Sequence, residues 1–279
     1  MKKDTLQNKA NLTVLRAKHL GMCFGVRDAI RLAKRVVKSR PLTVLGELVH
    51  NATVLDDLLG EGVQFETIAS DVKTETVMIT AHGASNRTKV RARESGLKIR
   101  DATCPLVHHA HKQVRQLVED GYHPVVIGRR GHVEVRGLTE DLSEHDVVLS
   151  EDDIDALSLR RRYGVVAQTT QPIARVHELV DCLKNRFPAA EVRFEDTVCQ
   201  PTKQRQSAAV ELAKRSDVVL VVGGQQQQHP QTCQDLQGVL WRSSSCTGAG
   251  RCSVGVVGGV GHTWSHGRHL HAGFTHRRG

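Results

Sequence analysis

The sequence predicts an α/β protein of three similar units with mainly parallel sheets. Two observations carry this. Short apolar runs alternate with amphipathic helical patterns from residue 12 to residue 224, the arrangement that gives parallel strands joined by helical crossovers. Three cysteines, Cys23, Cys104 and Cys199, each stand where an apolar run ends and a helical pattern begins. At 279 residues, with 39% apolar and 25% charged residues, the chain is long enough to bury a real core in two or three small units.

Taken in order, residues 12–17 (LTVLRA) read as a strand and residues 25–39 as a helix, with Ala29, Ile30, Ala33, Val36 and Val37 on one face. A strand at 42–45 runs into GELVHN, and a helix covers 51–60. The run VMIT (77–80) precedes AHGAS, a helix near 86–95 and an extended stretch at 97–103. After Cys104 the helix starts on Pro105, whose missing N–H costs little at a first helical position. Strands follow at 124–128, 147–150 and 163–168, then a helix at 172–186 and a strand near 191–195. A helix over 201–215 and the buried strand DVVLVVGG (217–224) complete the regular part. The units divide as 1–11 (an extension), 12–101, 102–196 and 197–224, with 225–279 as an anomalous tail expected to be disordered.

The cysteines lie far too widely apart for a zinc knuckle. A thiol at a helix N-terminus meets the positive end of the macrodipole, which favours thiolate. Three such thiolates converging from similar units suit an iron–sulfur cluster and leave one iron without a protein ligand. Four further segments end strands with polar residues: His50 in GELVHN, His82 in AHGAS, His132 with Glu134 in GHVEV, and Thr169 in AQTTQP. The ends of strands are where α/β folds place their sites. Histidines beside glycine turns suit phosphate oxygens. Glu134 is placed to carry a proton and Thr169 to orient it. Singly, each has an ordinary structural reading, and Cys182 within LVDCLKNRF is read as structural.

Composition excludes several classes. Seven cysteines without framework spacing argue against a secreted disulfide scaffold and for a reducing, cytoplasmic setting. No apolar run approaches the ~20 residues of a membrane span, and the N-terminus lacks the apolar core of a signal peptide. The net charge of +9 is scattered and aromatics are 3%, so nucleic acid is not the expected partner. A basic surface also suits an anionic substrate or an acidic electron-donor protein.

In this order, GMCFGVRDAI, GELVHN, TAHGAS, DATCPLV, GHVEVRG, AQTT, DTVCQPTKQRQ and VVLVVGG resemble the 4-hydroxy-3-methylbut-2-enyl diphosphate reductase family over residues 12–224. The resemblance implies three α/β units around a central [4Fe–4S] cluster, one per chain, held by Cys23, Cys104 and Cys199. It further implies that His50, His82 and His132 hold the substrate diphosphate, that Glu134 donates protons, and that Thr169 lies near the substrate hydroxyl. The implied activity is reductive dehydroxylation of an allylic diphosphate to isopentenyl and dimethylallyl diphosphate, fed by a ferredoxin- or flavodoxin-type donor, in a monomer with no membrane partner.

After Gln225 the sequence departs from that pattern. The family's Ser/Asn phosphate loop is replaced by Gln225-Gln226-Gln227-Gln228-His229-Pro230, and the tail has no Lys, Glu, Asn or Ile. A frameshift near Gln225 accounts for the break: permissible codons for these residues, and for Gly267–Phe274, spell Ser/Asn-rich and Ala-Gly-Thr-Ser-Thr-Pro-Asp motifs one base later. An inactive copy of the enzyme, or a non-catalytic iron–sulfur redox protein, is the alternative reading.

Overall fold

The computed structural model describes residues 15–49, 51–216, 219–223, 241–247 and 251–257. Two four-stranded sheets, each wholly parallel, share one plan. The first joins β1 (Thr43–Leu45), β2 (Gln64–Glu66), β3 (Thr76–Ile79) and β4 (Lys98–Asp101) in the order β2-β1-β3-β4. The second joins β5 (His123–Ile127), β6 (Asp146–Val148), β7 (Arg162–Ala167) and β8 (Glu191–Phe194) in the order β6-β5-β7-β8. Strand by strand the second sheet repeats the first, as the recurring strand–cysteine–helix pattern leads one to expect. The third sheet opens with β9 (Val219–Gly223).

Residue alternation decides what each face of the second sheet buries. Val125, Ile127, Val165 and Ala167 face α6 (Glu151–Asp155) and α7 (Ile173–Arg186), whose Ile154, Val176, Leu179, Val180 and Leu183 complete one core. Val126 and Val166 face the other way, towards α4 (Pro105–Glu119) and α5 (Val133–Thr139), and pack with Ala110, Val114, Leu117, Val135 and Leu138. A strand buried on both faces reads as a continuous apolar run, which is why HPVVI and YGVVA are so legible. In the first sheet, Ala29 and Ala33 of α1 (Phe24–Val37) and Leu58 of α2 (Ala52–Gly60) cover Val44 and Met78.

Helix α4 rides unusually close to β7. A methyl group on Gly164 would lie 2.9 Å from the Cβ atoms of both Leu117 and Tyr122. Gly164→Ala is therefore expected to destabilise the fold by about 1–3 kcal/mol through overpacking. In urea the midpoint should fall with the slope unchanged.

Several expectations change. The strand expected at 12–17 is not formed in its described part, residues 15–17, because no neighbouring strand pairs with it and a lone strand leaves its backbone groups unbonded. GHVEVRG was expected only as a polar strand end, yet Val133–Thr139 is a helix. Its V-E-V alternation mimics a strand. His132 overrides it by accepting the Glu134 N–H at Nδ1 (3.1 Å), and Val135 and Leu138 are then buried. The short elements β2 and α6 were also not anticipated; three and five residues are too few to show a period. Part of the tail expected to be disordered is regular: β10 (Trp241–Thr247) pairs parallel with β9, and β11 (Arg251–Val257) pairs antiparallel with β10. The backbone of β9 offers an edge that such segments satisfy by hydrogen bonding. Among the described residues no helix is long and apolar enough to cross a membrane.

Candidate active site

Polar side chains gather where the C-terminal ends of the two parallel sheets meet. From the second sheet, the turn after β5 delivers His132, α5 carries Glu134 in its first turn, and the turn after β7 delivers Thr169. From the first, the turn after β3 delivers His82. The rings of His82 and His132 stand edge to face with centroids 5.6 Å apart, although the residues come from different sheets. His50 lies outside the described residues.

Glu134 is 2% exposed, yet both carboxyl oxygens are engaged. The Thr169 N–H donates to Oε1 (2.6 Å) and the Thr169 hydroxyl donates to Oε2 (3.1 Å). Burial pushes the Glu134 pKa up to about 7, against the two hydrogen bonds from Thr169, which pull it down. Desolvation wins because an ionised carboxylate loses more in leaving water than two donors return. A buried carboxyl with a pKa near neutrality, in a strand-end cluster that also holds two histidines, is the usual signature of a proton carrier.

Sequence reasoning passed over Gln168. It is 1% exposed. Its Oε1 accepts from the Arg129 N–H and from Gln171 Nε2, each at 3.0 Å, while its Nε2 donates to the Thr170 hydroxyl (3.2 Å). It thus ties the turn that leads to His132 to the turn that carries Thr169. The signal was present in Gly128, where a methyl group would fall 2.9 Å from Gln168 Cβ. A glycine there and a glutamine forty residues on mean nothing together until the strands are paired.

Each of the three cysteines is the N-cap of a helix: Cys23 of α1, Cys104 of α4 and Cys199 of α8 (Gln200–Ala213). All three are half-buried; the Cys104 sulfur meets the Leu106 and Val107 N–H groups, and the Cys199 sulfur meets the Thr202 N–H and hydroxyl, the latter at 3.0 Å. They converge. A negative charge on Cys23 or Cys199 raises the Cys104 pKa, and one on Cys23 raises that of Cys199. A methyl group on Gly25, two residues after Cys23, would fall 2.6 Å from Cys104 Sγ. The expected lowering by helix macrodipoles is corrected: burial pushes both Cys104 and Cys199 up, outweighing the backbone N–H groups of α4 and α8 that pull them down. Burial thus favours the protonated form of Cys104 and Cys199, and binding iron would release their protons. Among the described residues no three His, Cys, Asp or Glu side chains are grouped to hold a single metal ion. Thiolates on different irons of a cluster stand farther apart than ligands sharing one ion. The donor set, three thiols, fits a soft iron–sulfur group better than a hard cation. Gly25→Ala is expected to displace the Cys104 thiol and lower cluster occupancy, read as lost visible absorbance after anaerobic reconstitution; unchanged absorbance would count against convergence. Cys182, in α7, packs against the core of the second sheet instead.

Two acidic side chains lock the sheets together beside this site. Asp141 accepts from the Asn86 and Arg87 N–H groups (2.6 and 3.0 Å) at the N-terminus of α3 (Asn86–Glu94), and Glu140 accepts from the Ser85 and Thr88 hydroxyls. Carboxylates at a helix N-terminus complement its dipole.

Comparison with known proteins places the chain in a family. The family described as LytB protein matches residues 14–236, more than half of the chain. The chain belongs to the LytB family. Enzymes named 4-hydroxy-3-methylbut-2-enyl diphosphate reductase are similar to it. The one from Acinetobacter baumannii (strain ATCC 17978) is 36% identical over 222 residues, 76% of this chain and 70% of the relative. That from Symbiobacterium thermophilum is 36% identical over 225 residues, 76% of each. Among solved structures, the E-1-hydroxy-2-methyl-but-2-enyl-4-diphosphate reductase from Plasmodium falciparum superposes with a TM-score of 0.74 at 30% identity, covering 80% of this chain and 73% of that one. A second, titled as the terminal enzyme of the non-mevalonate pathway, gives 0.64 at 34% identity, with 78% and 79% covered. LytB enzymes are iron–sulfur proteins, in keeping with the three thiols described above.

Proposed function

We propose that this chain reductively dehydroxylates 4-hydroxy-3-methylbut-2-enyl diphosphate to isopentenyl and dimethylallyl diphosphate. The single observation that carries the reading is Glu134: its buried carboxyl, with a pKa of about 7, is held by Thr169, and its backbone N–H donates to His132, the ring that meets His82 at the junction of the two sheets. Family membership supports the substrate.

In the overall reaction the C–O bond of the allylic alcohol breaks, two electrons and two protons enter, and water leaves with a new C–H bond formed. Cys23, Cys104 and Cys199 would hold a [4Fe–4S] cluster, one per chain, which would supply electrons and a Lewis-acidic iron. His82 and His132 hold the diphosphate, with His50 assigned to the same task by resemblance; neutral imidazoles donate hydrogen bonds to phosphate oxygens. Glu134 keeps a proton on its carboxyl below pH 7 and delivers it to the departing oxygen. Thr169 fixes the carboxyl through its N–H and hydroxyl, so the acid does not have to be ordered during the reaction. Water is excluded by the same burial that keeps Glu134 protonated. The three units, divided at 12–101, 102–196 and 197–224, each contribute one cysteine to this centre. The partners of this reading are a small allylic diphosphate and a ferredoxin- or flavodoxin-type protein acting on a cytoplasmic monomer.

The segment after Gln225 lacks the family's Ser/Asn phosphate loop. The test is reductase turnover of the anaerobically reconstituted 279-residue chain beside a frame-restored version, with a reduced viologen dye as donor. Turnover in both supports the enzyme. Turnover only in the frame-restored chain makes this polypeptide an inactive copy. A cluster spectrum that ignores the allylic diphosphate in both sinks the reading and leaves a redox protein.

A further inference from the structure

His111 lies on α4, two turns beyond Cys104. Its Nε2 is buried and has no hydrogen-bond partner among the described residues. A methyl group on Gly83 would stand 3.3 Å from that nitrogen, and one on Gly137 would stand 3.6 Å away. Gly83 adjoins His82, and Gly137 sits on the helix that carries Glu134. The ring is therefore wedged between two elements that each present a candidate site residue.

Glycine is required at the first of these contacts. Gly83 has φ +78°, a backbone conformation that side chains disfavour, and a methyl there would also meet Thr103 and Val107 at 3.1 Å. The turn consequently sits directly on α4. Its far end is held by Glu140 and Asp141, which bind Ser85, Asn86 and Arg87. His111 supports the near end. Burial lowers its pKa to about 4, so the ring is neutral at physiological pH and acts by its shape.

We propose that His111 is a positioning residue that sets the separation between the His82 turn and α5, and so holds the His82 and His132 rings as a pair for a diphosphate. The inference rests on the diphosphate reading of His82 and His132 given above. It makes Cys104's helix the common support of the cluster and of the anion subsite.

The test titrates inorganic pyrophosphate into the reconstituted 279-residue chain by calorimetry and follows the His82 and His132 ring signals by NMR. His111→Ala should weaken pyrophosphate binding about tenfold, the scale of loss when a group's support is removed, and should shift both ring signals. His111→Gln, which refills most of the space, should return affinity to within about threefold of the starting protein. If His111→Ala does not fold, His111→Asn, a shorter side chain, is read in the same way. Unchanged affinity, or weakened affinity with unmoved ring signals, overturns the positioning role while leaving the subsite intact. A His82→Ala control that binds pyrophosphate normally, or a starting protein that does not bind it, overturns the diphosphate reading and this inference together.

Discussion

Glu134→Gln is expected to keep the visible absorbance of the reconstituted cluster and to lose turnover by at least a hundredfold, the usual contribution of a positioned general acid. The substitution is nearly isosteric, and both hydrogen bonds survive it. The amide oxygen accepts from the Thr169 N–H, and the Thr169 hydroxyl turns to accept from the amide. Only the transferable proton is gone. Near-normal turnover would refute the proton role. In the unsubstituted protein, turnover should fall as pH rises through about 7, because the acid form of Glu134 is then lost.

The same carboxyl makes a stability prediction. Its native pKa, about 7, lies above the ordinary value of 4.5, so the folded state binds the proton more tightly than the unfolded state. The resulting stabilisation is complete below pH 4.5 and is lost as pH rises towards 7. Two and a half units correspond to roughly 3 kcal/mol. His111, lowered to about 4, titrates with the opposite sign in an overlapping window, gaining the fold stability as pH rises from 4 to 6.5. The quantity to measure is therefore the difference between the protein and Glu134→Gln in urea denaturation from pH 5 to pH 8. The variant should gain on the parent from pH 5 to about pH 7 and then level off. A constant difference would mean that the buried carboxyl does not titrate there.

The second large effect is at the thiols. Replacing any of Cys23, Cys104 or Cys199 by Ser is expected to abolish stable cluster uptake, measured as iron and sulfide content and as visible absorbance after anaerobic reconstitution. Serine keeps the shape and loses the soft ligand. The fold should survive, because the serine hydroxyl can still accept from the first-turn N–H groups that the Cys104 and Cys199 sulfurs meet. Cys182→Ser, in a helix packed on the second sheet, should leave uptake unchanged. Full cluster content in any of the three variants would contradict a shared centre.

Legibility followed burial. Strands covered on both faces, such as HPVVI and YGVVA, were plain as apolar runs, and helices such as α4 and α7 showed one continuous apolar stripe. The short helices α5 and α6 and the three-residue β2 were not legible, because fewer than two turns of helix carry no period and Gln64–Glu66 has no apolar run. Helix α5 was the costly miss, since it positions Glu134, and only the Nδ1 cap of His132 and the packing of Val135 and Leu138 distinguish it from a strand. The Gln168 tie was equally invisible, being built from groups brought together by the pairing of β5 with β7.

By itself the sequence determined the α/β class, the three junction cysteines and the residues that end the strands, because each is fixed by local periodicity and by what a helix N-terminus requires. Only the tertiary structure decided their chemistry. Burial pushed Glu134 towards neutrality and pushed Cys104 and Cys199 up against their helix dipoles, and the meeting of two separate sheets brought His82 to His132. Desolvation and contact across sheets are properties of the packed molecule, and no local stretch of sequence encodes either.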